Sequence, residues 1–276
     1  MPKDDAAPAA VARLLDDDEP APCSVLNGAS TYPVLLVCDH ASRRLPRALG
    51  DLGLDPVARQ SHLAWDIGAG ELTRRLAASL GATAVLAEYS RLVVDTNRDL
   101  LDAEAFLAWG DGVAIPGNRN LGPAERAARA EAVYRPYHRA IHEQIRRLVA
   151  AGRVPAVLAI HSFTPVLDGV SRPWEVGILW DVDRRVPDIL IPALEEAGYH
   201  VGDNEPYSGR SPQDFTIDHH AEAAGLPHAG IEVRQDLLSG EDGVARMAEL
   251  LARIVRGFPP SLFSYRAGWH DGPRNA

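Results

Sequence analysis

The chain has 276 residues, 46% of them hydrophobic and 24% charged, a mix that folds as one large globular domain or two small ones. Its 28 Lys and Arg against 38 Asp and Glu give a net charge of −10, which argues against nucleic acid or an anionic membrane as the main partner, since both require a basic face. Two cysteines, Cys23 and Cys38, are too few for a disulfide scaffold or a cysteine-built zinc site.

Met1 to Asp5 opens no apolar signal segment, and no run of about 18 apolar residues follows, so the expectation is a cytoplasmic protein. Residues 1–30 are rich in Ala, Pro and Asp, with the acidic run Asp16-Asp17-Asp18-Glu19. They read as a weakly ordered leader before a single domain over 31–276. Val34 to Cys38 is a continuously apolar run, the mark of a strand buried on both faces, and it breaks off at Asp39-His40. Leu72, Leu76 and Leu80 recur at helical spacing between Gly68 and a C-cap at Gly81. A second strand covers Ala84 to Glu88.

Residues 99–121, with Gly110, Gly112, Pro116 and Gly117, read as a mobile loop over a site. Pro123 then opens a long helix reaching about Ala151, which Pro136 should kink or split. Strands are predicted at Pro155–Ile160, ending at His161-Ser162, then at Glu175–Trp180, near Tyr199–Val201, and at Ala229–Val233. Helices are predicted at Pro187–Ala197 and Glu241–Val255. This alternation implies an α/β fold, a mixed and mostly parallel sheet flanked by helices on both faces.

In open α/β sheets the ligand site lies beyond the carboxyl ends of the strands. Asp39 and His40 emerge after the first strand, and His161 and Ser162 after the third. Arg91, Asp95, Asn97 and Arg98 follow the second, while the last carries Glu232, then Arg234 and Asp236. Each has an ordinary structural reading, as a hydrogen-bonded histidine or a surface ion pair. Glu232, however, sits between Ile231 and Val233, and a buried carboxylate is costly unless it is paired or does work. His138 and His142, four apart on the long helix, lack the glutamate of HExxH and read as structural. His219-His220 lie in or beside a polar helix within reach of the site edge. Gly68 and Gly70 form a lone GxG with no following xxG, too little for a dinucleotide site.

At these residues the chain resembles the N-formylglutamate amidohydrolase family. The matching pieces are Val37-Cys38-Asp39-His40-Ala41-Ser42 with Pro46, Asp66-Ile67-Gly68-Ala69, and Ser90-Arg91-Leu92-Val93-Val94-Asp95-Thr96-Asn97-Arg98. Tyr134-Arg135-Pro136-Tyr137-His138, Ile160-His161-Ser162-Phe163, Asn204-Glu205-Pro206-Tyr207-Ser208 and Gly230-Ile231-Glu232-Val233-Arg234-Gln235-Asp236-Leu237 continue the match in order.

The resemblance implies a hydrolase fold similar to the zinc carboxypeptidases and aspartoacylases, with one divalent metal, zinc. Relatives of that kind use His-x-x-Glu, a later histidine and a late general-base glutamate. Here Arg43 stands where that first glutamate would be. The implied ligands are therefore His40, His161 and, as replacement, Asp66, with His62 in reserve. Glu232 matches the late glutamate. Asn97-Arg98 is similar to the dipeptide that holds a substrate carboxylate and polarises its carbonyl, and Arg91, Ser162, Tyr207 and Arg234 complete the expected substrate contacts. The implied reaction is hydrolysis of the amide of a small anionic N-acyl amino acid, N-formyl-L-glutamate or similar. Three alternatives stay open: an inactive ligand-binding relative, an amidase or carboxypeptidase-like enzyme on a peptide or cell-wall fragment, and a metal-free serine hydrolase built on Ser42 or Ser162.

Overall fold

The computed structural model describes residues 13–210 and 214–266. In chain order its strands are β1 (Cys23–Leu26), β2 (Val34–Cys38), β3 (Thr83–Ala87), β4 (Trp109–Gly110), β5 (Val113–Ala114), β6 (Ala156–Phe163), β7 (Val166–Leu167), β8 (Val170–Ser171), β9 (Val176–Leu179), β10 (Val201–Asp203) and β11 (His228–Arg234). The helices are α1 (Ala69–Leu80), α2 (Pro123–Arg129), α3 (Arg135–Ala150), α4 (Pro187–Glu196), the short turn α5 (Phe215–Ile217) and α6 (Gly240–Arg256).

The continuously apolar runs lie at the centre of a seven-stranded sheet ordered β1-β3-β2-β6-β11-β9-β10. Neighbours β3, β2, β6 and β11 are parallel, as are β9 and β10. The pairings β1–β3 and β11–β9 are antiparallel. Period-2 alternation then divides the core. Leu36, Leu158, Ile160 and Ile231 pack with α1, α4 and α6 on one face, whereas Leu35, Val37, Val157 and Ala159 pack with Tyr137, Ile141 and Ile145 of α3 on the other. No helix among the described residues is long and apolar enough to cross a membrane.

Three local expectations change. The segment read as a leader supplies β1 within it: Cys23 to Leu26 pair with Ala87 to Ala84, because a half-exposed edge strand needs only one hydrogen-bonding neighbour. Residues 1–12 of that segment lie outside the described residues. The long helix is interrupted by a π-helical turn, Ala130–Tyr134, just before Pro136, whose ring and missing N–H disrupt regular i→i−4 bonding there. The loop 99–121 carries the β4–β5 ribbon and is anchored rather than loose. Ile115 and Phe106 are buried, and Arg129 donates to the Val93 carbonyl at 3.1 Å and to Asn118 Oδ1 at 2.6 Å.

Candidate active site

Strand register assembles the site. β11 lies parallel to β6 with Glu232 opposite His161, and β2 on the other side of β6 delivers Asp39 and His40 just past its last residue. Ala229, Ile231 and Val233 enter the core on the α1 and α6 face, so alternation puts Glu232 on the opposite face, beside His161. Asp66 arrives from the loop before α1. Its backbone N–H donates to the His40 carbonyl at 3.0 Å, fastening that loop to the end of β2.

Asp66 Oδ2 lies 2.9 Å from His161 Nδ1, and its Oδ1 lies 3.4 Å from His40 Nδ1. Donor atoms of the three residues all fall within 4.8 Å of one another, and all three residues are buried. The outer nitrogens face carboxylates as well: His40 Nε2 is 2.7 Å from Asp95 Oδ1 and His161 Nε2 is 3.2 Å from Asp39 Oδ2. Outer carboxylates of this kind fix the tautomer and orientation of an imidazole that ligates a metal through its other nitrogen. His40 Nδ1 is buried and makes no hydrogen bond, an unsatisfied group that a cation would satisfy. Two imidazoles and one carboxylate are a donor set suited to zinc, so these residues fit a divalent ion. His62 lines the same cavity but is not part of this cluster; its Nε2 lies 2.9 Å from Asp111 Oδ2.

The electrostatics separate the carboxyl groups. Burial, reinforced by Asp66, pushes Glu232 up to about 7 against the pull of His161 and His40, and its Oε2 makes no hydrogen bond. Burial would raise Asp66 and Asp95 too. His40 with His161 overcomes it at Asp66, and Arg91 with His40 overcomes it at Asp95, holding both well below the carboxylate range. His161 is held well above its ordinary value, because the carboxylates of Asp39 and Asp66 beside it outweigh its burial.

A cavity of about 270 Å³ opens over this cluster, lined by His40, Asp66, His161 and Glu232. Arg91, Asn97, Arg98, Ser162 and Tyr207 line it as well. Arg91 donates from Nε to Asp95 Oδ2 at 2.9 Å, while its Nη1 stands 4.0 Å from Asp66 Oδ1. Arg98 Nε lies 3.5 Å from Glu104 Oε2. Asn97 Oδ1 accepts the Thr216 N–H at 2.9 Å. Tyr207 accepts a bond from Arg172 at 2.8 Å. The Ser162 hydroxyl donates to the Ile67 carbonyl at 2.8 Å, which occupies it with a backbone group instead of a histidine.

Arg234 does not line the cavity. At the end of β11 its guanidinium is captured by Asp236, with Nε to Oδ1 at 2.8 Å, and by the carbonyls of Pro173 and Trp174, each at 3.2 Å. His219 and His220 also lie elsewhere. His220 Nε2 is 2.9 Å from His138 Nδ1, His138 Nε2 is 2.9 Å from the Thr96 carbonyl, and His219 stacks on Phe215.

Sequence reasoning placed Asp39 and Asp95 at strand ends without a role, and missed Asp214 and Thr216 altogether. Asp39 had a signal, since it directly precedes His40 at a polar break. Asp214, which lines the cavity, and the fully buried Thr216 belong to a polar stretch with no periodicity to mark them.

The model of the N-formylglutamate amidohydrolase family matches residues 32–239. A gene product of Agrobacterium tumefaciens is 39% identical in a solved structure, covering 89% of this chain and 97% of its own, at a TM-score of 0.86. An N-formylglutamate amidohydrolase of Ralstonia eutropha shares the fold at 20% identity, covering 85% of this chain and 95% of its own, with a TM-score of 0.67. Among curated proteins none matches this chain. A family match over most of the sequence, on a sheet whose strand ends carry the buried histidines and glutamate, has one meaning: the chain belongs to the N-formylglutamate amidohydrolase family.

Proposed function

We propose that this protein is a zinc-dependent amidohydrolase that cleaves the amide of a small anionic N-acyl amino acid, with N-formyl-L-glutamate as the reference substrate. Water adds to the acyl carbon, the C–N bond breaks, and formate and the free amino acid leave. The observation that carries this reading is the meeting of His40, Asp66 and His161 donors within 4.8 Å, beside a buried Glu232 on the adjacent strand.

His40, Asp66 and His161 would hold the ion, which when bound supplies Lewis-acid chemistry, lowering the pKa of water and polarising the amide carbonyl. Glu232 acts as general base and then general acid, taking a proton from water and returning it to the leaving nitrogen. Without the ion, burial pushes the Glu232 carboxyl up to about 7; a bound cation would draw it down toward the carboxylate that a general base requires. Arg91, whose Nε is committed to Asp95, faces the developing oxyanion from the Asp66 side. Arg98 and Asn97 take the substrate carboxylate, the guanidinium through its planar fork. A cavity of about 270 Å³ suits a ligand of this size.

Metal analysis of the purified protein, combined with hydrolysis assays on N-formyl amino acids, tests the reading. His161→Ala is expected to lose both metal and turnover. Glu232→Gln is expected to keep the metal and lose turnover by about 10²–10⁴-fold, the ordinary contribution of a general acid–base group. Full activity in both variants overturns it.

A further inference from the structure

Two outer carboxylates orient the two ligand histidines, and each is reached from one residue that the sequence does not announce. Thr216 is fully buried. Its hydroxyl donates to Asp39 Oδ1, and the other oxygen of Asp39 faces His161 Nε2 at 3.2 Å. Its backbone N–H donates to Asn97 Oδ1 at 2.9 Å. The Asn97 backbone N–H donates in turn to Asp95 Oδ1 at 2.8 Å, the atom that lies 2.7 Å from His40 Nε2.

We propose that Thr216 is a positioning residue whose hydroxyl holds Asp39 in place behind His161 and so sets the affinity of the site for its metal. The inference rests on the metal-dependent reading above. The surroundings of Asp39 and Asn97 support it. An Asp39 carboxylate that is free to rotate would leave His161 without a fixed tautomer, and outer partners of ligand histidines typically govern affinity by 10–100-fold. The Thr96 side chain adds a second clamp, donating to the Asp39 carbonyl at 3.0 Å, so Asp39 is held at backbone and side chain together. The bond to Asn97 Oδ1 also fixes that amide, because an oxygen that accepts from Thr216 leaves the Nδ2 protons to face elsewhere. Asp214 receives a bond from that amide and lies at the start of the same turn. One short segment, 214–217, thereby braces the metal half of the cavity against the substrate half.

The test compares Thr216→Val, which removes the hydroxyl and keeps the volume and the N–H, with Thr216→Ser, which restores the hydroxyl. Zinc affinity is measured by competition with a chelator, and the melting temperature of each metal-free protein is recorded. The expected result is zinc binding weakened about 10–100-fold in Thr216→Val and within about threefold of wild type in Thr216→Ser. Wild-type zinc affinity in Thr216→Val overturns the inference and leaves the metal reading standing. So does an equal loss in both variants that tracks a fall in metal-free melting temperature. A wild-type protein that takes up no zinc overturns the metal reading and the inference with it.

Discussion

Asp66 and Glu232 share one cavity, yet their surroundings drive them in opposite directions, Asp66 held ionised by His40 and His161 and Glu232 raised by burial to about 7. Divergence of that kind separates a permanently charged carboxylate from a group able to exchange a proton. The arginines divide in a similar way. Arg91 is bound to Asp95 and stands close to Asp66, whereas Arg98 meets the more exposed Glu104 at 3.5 Å. Both arginines line the cavity, and Arg98 is the one proposed to take a substrate carboxylate. A charged hydrogen bond contributes about 1.5–3 kcal/mol, or roughly 10–100-fold in kcat/KM. Arg98→Met is expected to cost that factor on N-formyl amino acids and little on the matching N-formyl amines, which lack the carboxylate. Steady-state kinetics on the two substrate series measure it, and an equal loss on both would remove Arg98 from carboxylate binding.

At the scale of elements, the room for Glu232 depends on the neighbouring strand. Gly177 of β9 pairs with Glu232. A Cβ there would lie 2.2 Å from the Glu205 carbonyl oxygen and 3.3 Å from Glu232 Cβ. Backbone cannot yield as a flexible side chain does, so Gly177→Ala is expected to destabilise the fold by about 1–3 kcal/mol, the usual cost of overpacking. Residual folded enzyme should also turn over more slowly, because Glu232 is pushed from its place. Denaturant unfolding and specific activity of the folded fraction check the two effects, and a variant matching wild type in both contradicts the packing argument. The same strands explain what could be read in the sequence. β2, β6 and β11 contain apolar runs beside His40, His161 and Glu232, and a local pattern suffices to find them. β1 was hidden because a four-residue edge strand acquires its identity from β3, about 60 residues away in sequence. Arg234 was misplaced for a related reason. Alternation along β11 says nothing about the Pro173 and Trp174 carbonyls that draw the guanidinium aside once the strand ends. Thr216 and Asp214 act only through partners distant in sequence, so no spacing rule could have found them.

Across the molecule, buried histidines set the pH range of stability from both sides. Burial pulls His138 down to about 4 and His220 to about 2, with neighbouring histidines adding to the effect at each. As pH falls below about 6.5, the unfolded chain takes up protons that these two refuse in the fold. Stability then falls by about 1.4 kcal/mol per pH unit for each group until its folded value is reached. His228 behaves oppositely. Its Nδ1 lies 2.8 Å from the Leu226 carbonyl and its Nε2 3.1 Å from Glu222, so two acceptors favour the imidazolium and raise it in spite of burial. That contribution is complete below about 6.5 and disappears as pH rises through the raised value. Glu222, lowered to about 2 through His228 and Arg266, keeps its share above its ordinary value and loses it only in strong acid. Asp183, the other carboxylate acting on His228, is paired with Arg185. Asp218 is raised by burial and by Asp214, Asp181 and Glu222 to about 7. It binds its proton more tightly in the fold, so its share of stability declines as pH climbs from about 4 to 7. Urea unfolding of the wild type, His220→Gln and His228→Gln at pH 5, 6.5 and 8.5 separates these effects, because the carboxylates of the candidate site are common to all three and cancel in each difference. His220→Gln should lose less stability than wild type between pH 6.5 and 5. His228→Gln should be less stable than wild type by about 1.5–3 kcal/mol at pH 5, the worth of a hydrogen bond to a charged group, with the gap narrowing toward pH 8.5. Parallel curves for all three proteins would mean that these histidines do not govern the pH dependence of the fold.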